Sequence, residues 1–159
     1  MRQLVNDLGI QHDQRTIDVD ITTPNRSEEV SWDRGLARRI LFNLLNNALK
    51  YSSQSVRLGL RCDADMIHVQ ISDHGIGIVA DDQAHVYEPF FRGKNTEFVH
   101  GTGIGLFIVQ RAVQAMGGTI RFDSELTVGT TFFVDLPRHV TDPDAQSSET
   151  LGPVIPTDR

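Results

Sequence analysis

One cysteine, Cys62, is all the chain has, so no disulfide can form within it, which fits a reducing compartment. No apolar run reaches the length of a membrane span, and no basic-then-apolar leader opens the chain, so neither an anchor nor a secretory signal is visible. Positive charge is in deficit: 15 Lys and Arg face 21 Asp and Glu, a formal charge of -6. That argues against a binder of phosphate backbones and excludes nucleic acid as a first choice of partner, yet a local pocket for a small anion stays open. No Gly-Lys-Ser/Thr occurs, so there is no P-loop. His68, His74, His85, His100 and His139 have no metal-like spacing, and no internal repeat appears. At 159 residues the chain suits a single domain.

What is present begins with periodicity. Leu4, Val5 and Leu8 predict a short helix over residues 1–10. Ile17, Val19 and Ile21 alternate with Asp18, Asp20 and Thr22 as a half-buried strand, which the turn at residues 23–27 ends. From an N-cap at Ser31 or Asp33 the pattern becomes helical to about Ser52. There Ala37, Ile40, Leu41, Leu44, Leu45 and Ala48 make an apolar arc, and Asn43, Asn47, Lys50 and Tyr51 share a polar one. Val56, Leu58 and Leu60, then Ile67, Val69 and Ile71, predict a hairpin ending at Asp73. A short helix over 81–87, a polar loop over 92–102, a helix over 104–116 stopped by Gly117-Gly118, and strands near 119–124 and 130–136 follow. Beyond Pro137 periodicity ends, and residues 138–159 are expected to be a disordered tail. Alternating βαβ units are absent from this reading and hairpins dominate. The class expected is therefore α/β, a two-layer sandwich with about three helices on one face of a mixed, mostly antiparallel sheet.

Three segments carry candidate chemistry. Gly101-Thr102-Gly103-Ile104-Gly105-Leu106 leads straight into a helix, whose free N–H groups and positive dipole end suit phosphates; taken alone, a plain glycine turn fits equally well. Asp73-His74-Gly75-Ile76-Gly77 ends a strand with a carboxylate able to accept from an exocyclic amine, or simply to cap its own turn. On the polar arc, an Asn carbonyl is a hard donor for Mg²⁺, Lys50 offers charge to phosphate and Tyr51 a hydroxyl; a merely solvated face is the alternative for each taken singly.

Order decides between these readings. The segments Asn43 to Tyr51, Asp73 to Ile78, Glu88-Pro89-Phe90-Phe91-Arg92 and Gly101 to Leu106 resemble, in sequence and spacing, the asparagine, first glycine, phenylalanine and second glycine boxes of the ATP-binding catalytic domain of sensor histidine kinases. The resemblance covers about residues 1–137. It implies the Bergerat fold shared with gyrase, heat-shock chaperone and mismatch-repair ATPases, with ATP and Mg²⁺ bound. By the same resemblance Asn47 holds the metal, Asn43 is a second polar position of the same nucleotide-binding box, and Lys50 and Tyr51 face the phosphates, with Asn43, Asn47 and Lys50 serving catalysis. Asp73 would bond the adenine amino group beside Gly75, Gly77 and Ile78. Gly101, Thr102, Gly103, Ile104, Gly105 and Leu106 would cradle phosphates under a lid spanning about 90–102, with Phe90 and Phe91 as its hinge and Arg92 or Lys94 as a phosphate contact.

In the superfamily's ATPases and serine kinases a glutamate general base stands at the place of Asn43. An amide takes no proton at neutral pH, which implies transfer to a histidine supplied in trans by a dimerisation domain, with a response regulator downstream. His12-Asp13-Gln14-Arg15-Thr16 is similar to the acceptor motif, but Ile17 stands where proline is usual and a strand begins at once, so the acceptor is expected to lie outside this chain. The resemblance further implies a monomeric isolated domain in the cytoplasm, either free or as the cytoplasmic part of a membrane-bound sensor. The competing readings are a nucleotide-binding regulatory module without transfer, and an anti-sigma-type serine kinase.

Overall fold

The computed structural model describes residues 17–22, 32–96 and 99–138. The helix expected over residues 1–10, the turn at 23–27, the cap at Ser31, the motif at His12 and the segment beyond Arg138 lie outside the described residues.

The described residues form five strands and two α-helices: β1 (Ile17–Thr22), α1 (Arg34–Tyr51), β2 (Val56–Cys62), β3 (Met66–Ser72), α2 (Gly105–Ala115), β4 (Thr119–Glu125) and β5 (Gly129–Pro137). Short 3-10 turns occupy Ala80–His85 and Lys94–Thr96. The sheet order is β1-β2-β3-β5-β4, antiparallel except for β1 beside β2. This parallel pair makes β1-α1-β2 one βαβ unit, whereas the sequence pattern predicts none. Parallel neighbours need a long crossover, and the 18-residue α1 provides it.

Register shows why alternation in the strands becomes two unlike faces. Val19, Leu58, Ile71, Phe132 and Phe122 align across the sheet under the helices, and Asp20, Gly59, Gln70, Phe133 and Arg121 align on the other side. Against the apolar rows α1 buries Ala37, Ile40, Leu41, Leu44, Leu45, Ala48 and Leu49, and α2 buries Val109, Ala112 and Val113. Each fully buried leucine here stabilises by about 1.5–3 kcal/mol. On the open face His68 lies between Asp63 (2.9 Å) and Asp135 (2.6 Å). The hydrogen bond with Asp63, then that with Asp135, raises the His68 pKa above its usual value, and the Asp63 carboxyl falls to about 2, chiefly through the same bond to His68.

The short helix expected over 81–87 is instead a 3-10 turn. Bonds reach back three residues, from the Asp82 N–H to the Val79 carbonyl and from the Glu88 N–H to that of His85, and Pro89 stops any extension.

Candidate functional site

Helix α1 owes its position to its apolar arc and its chemistry to the arc beside it. Asn43, Asn47, Lys50 and Tyr51, at spacings of three and four, face a cleft of about 400 Å³. The loop after β3 closes one end of the cleft and the start of α2 the other, with Phe91, Arg92 and Gly93 between them and Thr130 of β5 at the back.

At the β3 end, Asp73 is fixed by its own backbone and by strand β5. Its N–H donates to the Thr130 carbonyl (2.9 Å), and its Oδ1 accepts from the N–H groups of Gly75 (2.8 Å) and Thr130 (3.3 Å). Among the described residues no bond is made to Oδ2, which leaves one acceptor oxygen for a donor in the cleft. Burial is the main influence on this carboxyl and raises its pKa, against the lowering effect of the two backbone bonds and of His74. Gly75 and Gly77 are required by close approach. A β-carbon on Gly75 would run into the Tyr51 carbonyl, and one on Gly77, at φ +66°, into the Glu125 carbonyl.

At the α2 end the chain turns through Gly103 at φ +70°, whose carbonyl accepts from the Phe90 N–H at 3.0 Å. No side chain caps α2. A β-carbon on Gly105 would stand 3.1 Å from Asn43 Oδ1 and 3.9 Å from Asn47 Nδ2, so the two amides lie against the start of α2. The Lys50 ammonium fills the place where a Gly101 side chain would be. Asn43 donates from Nδ2 to the Arg39 carbonyl (2.8 Å), which leaves Oδ1 as the atom turned to Gly105. Burial, and secondarily the nearby Arg92 charge, lowers the Lys50 pKa; burial raises that of Tyr51, whose ring lies 5.0 Å from Lys50 Nζ. The cleft therefore sets a carboxylate acceptor at one end and cations, amides and an uncapped helix start at the other. That is the polarity of a ligand with an amine at one end and negative charge at the other.

Most residues expected from sequence meet here: Asn43, Asn47, Lys50, Tyr51, Asp73, Gly77, Ile78, Phe91, Arg92, Gly101, Thr102, Gly103, Ile104, Gly105 and Leu106 all line the cleft. Gly75 lies behind the wall as a packing glycine. Lys94 points away, its Nζ 3.5 Å from Asp81 on the exposed side, and Phe90 stands 72% exposed outside the cleft at φ 67°. Residues 97 and 98 of the expected lid are outside the described residues. Sequence reading did not find Asn46, Asn95, Thr96 or Thr130, which also line the wall. Asn46 was findable on the α1 wheel, next to Asn47. Thr130 had no local signal, because its partner Asp73 is 57 positions away.

The family model for histidine kinase-, DNA gyrase B- and HSP90-like ATPases matches residues 32–140. The histidine protein kinase SaeS of Staphylococcus aureus (strain USA300) is 36% identical over 133 residues, covering 80% of this chain and 37% of SaeS, so the chain spans well under half of the curated relatives it matches. Among solved structures, a mycobacterial sensor histidine kinase, MprB, superposes with a TM-score of 0.68 at 27% identity over 86% of this chain and 91% of that one. Full-length ShkA in complex with AMPPNP gives 0.65 at 27% identity, over 86% of this chain and 28% of that one.

Proposed function

The chain belongs to the histidine kinase-, DNA gyrase B- and HSP90-like ATPase family, whose ATP-binding catalytic domain it forms, and from that membership we propose that it passes the γ-phosphoryl of Mg-ATP to a histidine on a separate dimerisation domain. One observation carries the reading: the amides of Asn43 and Asn47, the Lys50 ammonium and the start of α2 meet at one end of a single cleft, and the Asp73 carboxylate faces its other end.

In this reading Asp73 Oδ2 accepts from the adenine amino group, and the N–H groups at the start of α2, with Lys50 and Arg92, hold the phosphates. The donor set fits Mg²⁺ arriving with the nucleotide. Among the described residues no group of three His, Cys, Asp or Glu could hold a metal alone, and the Asn47 amide makes no bond within the protein. The Asn47 amide oxygen, a hard donor, would hold the ion together with the phosphates that bring it. When bound, the ion would neutralise charge on the phosphates.

The protein's own work is then to position. Asn43 cannot accept a proton, and its Nδ2 is already engaged by the Arg39 carbonyl, so this side chain is no general base for water. An incoming neutral imidazole needs no such base, since it carries its own lone pair. Transfer to histidine is favoured over hydrolysis, and catalysis rests on alignment and charge neutralisation. The phosphorylated histidine would then supply a response regulator, and a cytoplasmic setting follows from the ATP supply. Among the described residues no helix is long and apolar enough to cross a membrane.

The test is to incubate the protein with γ-labelled ATP, Mg²⁺ and a histidine-bearing helical hairpin from a sensor kinase. Acid-labile, alkali-stable label on the hairpin is the expected result. Nucleotide binding without transfer would replace the proposal with a regulatory module, and acid-stable label would replace it with a serine kinase.

A further inference from the structure

The loop Ile76–Ile78 has its backbone groups taken up from several directions. The Ile76 N–H donates to the Tyr51 carbonyl, and the Ile76 carbonyl accepts from the Thr127 N–H. The Ile78 N–H donates to Ser124 Oγ (2.9 Å), and the Ile78 carbonyl accepts from Gln83 Nε2 (3.3 Å). The remaining carbonyl, that of Gly77, accepts from Asn95 Nδ2 at 3.0 Å. Of these partners Asn95 belongs to the wall that carries Arg92 and Gly93.

That wall is held on its other side as well. Asp82, 4% exposed, accepts the Lys94 N–H on Oδ2 at 2.8 Å. Thr96 closes the turn by donating from Oγ1 (2.7 Å) and from its backbone N–H (3.0 Å) to the Gly93 carbonyl. Arg92 comes immediately before this fixed turn, and its guanidinium donates to the carbonyls of Thr96 (2.9 Å) and Val99 (2.8 Å). The charge of Arg92 is close enough to Lys50 and Tyr51 to act on both.

We propose that Asn95 is a positioning residue that joins the two ends of the cleft: by bonding the Gly77 carbonyl it fixes the Gly93–Thr96 turn to the loop that reads the base, and so holds Arg92 where phosphates are received. The inference rests on the nucleotide reading above. A side chain placed before the ligand arrives loses less freedom on binding, so the bond strengthens the grip on phosphates rather than on the base. A bond serving only the loop would affect the base and the whole nucleotide alike.

The experiment measures Mg-ATP and adenosine affinities calorimetrically for the parent, Asn95→Ala, Arg92→Ala and the double variant. Asn95→Ala is expected to weaken ATP roughly tenfold and adenosine less than about twofold. The double variant is expected to bind ATP no worse than Arg92→Ala, since Asn95 acts through Arg92. Equal loss for both ligands, no loss of ATP affinity, or additive losses in the double variant would each overturn the proposal. Asn95→Ser takes the same place in the comparison should the alanine variant fail to fold. A parent that binds ATP no better than adenosine overturns the phosphate reading itself, and that result is read before any substitution is made.

Discussion

The two described α-helices begin in opposite ways. Asp33 caps α1, its Oδ1 accepting from the N–H groups of Gly35 (2.7 Å) and Leu36 (3.0 Å). Helix α2 has no side-chain cap and starts in a glycine-rich turn beside two amides and a lysine. A cap contributes about 1 kcal/mol, so α2 forgoes local stabilisation that α1 keeps. It is held instead by burial of Val109, Ala112 and Val113, which leaves its free N–H groups facing the cleft. The carboxylates divide in the same way. Asp63 has Oδ1 taken by the N–H groups of Asp65 (3.1 Å) and Met66 (2.8 Å) and Oδ2 by His68, while Asp73 has one oxygen taken and the other turned to the cleft. Groups that the fold satisfies hold it together, and groups it leaves open are those available to a ligand.

The largest effect should come from removing an open group. Asn47→Ala deletes the amide proposed to hold the metal and is expected to reduce Mg-ATP affinity by about 100-fold, or about 2.7 kcal/mol. The melting temperature of the ligand-free protein should stay within a few degrees of the parent's, because Asn47 makes no hydrogen bond among the described residues. Calorimetry with and without Mg²⁺ checks this, and an unchanged, metal-dependent affinity would refute the role.

A second change adds charge beside the start of α2, two positions before Ile104 at its cap. Thr102 is exposed and lines the cleft, so Thr102→Asp sets a carboxylate where phosphate charge is expected without disturbing the core. ATP affinity should fall about tenfold, while Thr102→Asn, of the same size and no charge, should leave it within about threefold. Equal behaviour of the two variants would break the contrast between the helix starts.

This division was legible in the sequence only where the signal is local. The apolar arc of α1 and the alternation of β2 and β3 follow from period alone, and the site could be assembled because four short segments occur in a recognisable order. Pairing is not local. The parallel pairing of β1 with β2, Ile17 beside Val56, depends on where an 18-residue crossover sets the chain down, which no residue of β1 announces. Asp82 and Asn95 escaped notice for a related reason: each acts on a backbone atom, of Lys94 and of Gly77, 12 and 18 positions away. The direction of Lys94 was equally hidden, since only folding sets Asp81 beside it and turns it from the cleft.

Acid should separate the two kinds of carboxylate. Asp73 has a raised pKa, so its charge is lost at higher pH than an ordinary aspartate's, and its protonation relieves rather than harms the fold. Asp63 is lowered to about 2, so its contribution is present above the unfolded value near 3.8 and fades only as pH falls toward 2. Adenosine affinity, which avoids titration of the phosphates, is therefore expected to decline severalfold as pH drops from 6 toward 4 while the protein stays folded. At the other limit, His68 is raised, so its contribution is complete below about 6.5 and is lost as pH rises through its folded value. Thermal melts of the parent and of His68→Gln should accordingly converge at alkaline pH and differ in mild acid.

The smallest effect belongs to the cap itself. Asp33→Ala removes a carboxylate from an exposed helix start whose two N–H partners lie in its own first turn, and water can replace it there. The expected loss is about 1 kcal/mol, a few degrees in melting temperature, through fraying at the end of α1 farther from Asn47 and Lys50. ATP affinity should not change, since the amides and the ammonium lie nearly three to nearly five turns along a helix anchored by Leu44, Leu45 and Leu49. A loss of affinity matching the loss of stability would show that the start of α1 and the cleft are one cooperative unit, and that satisfied and open groups are not separable in this fold.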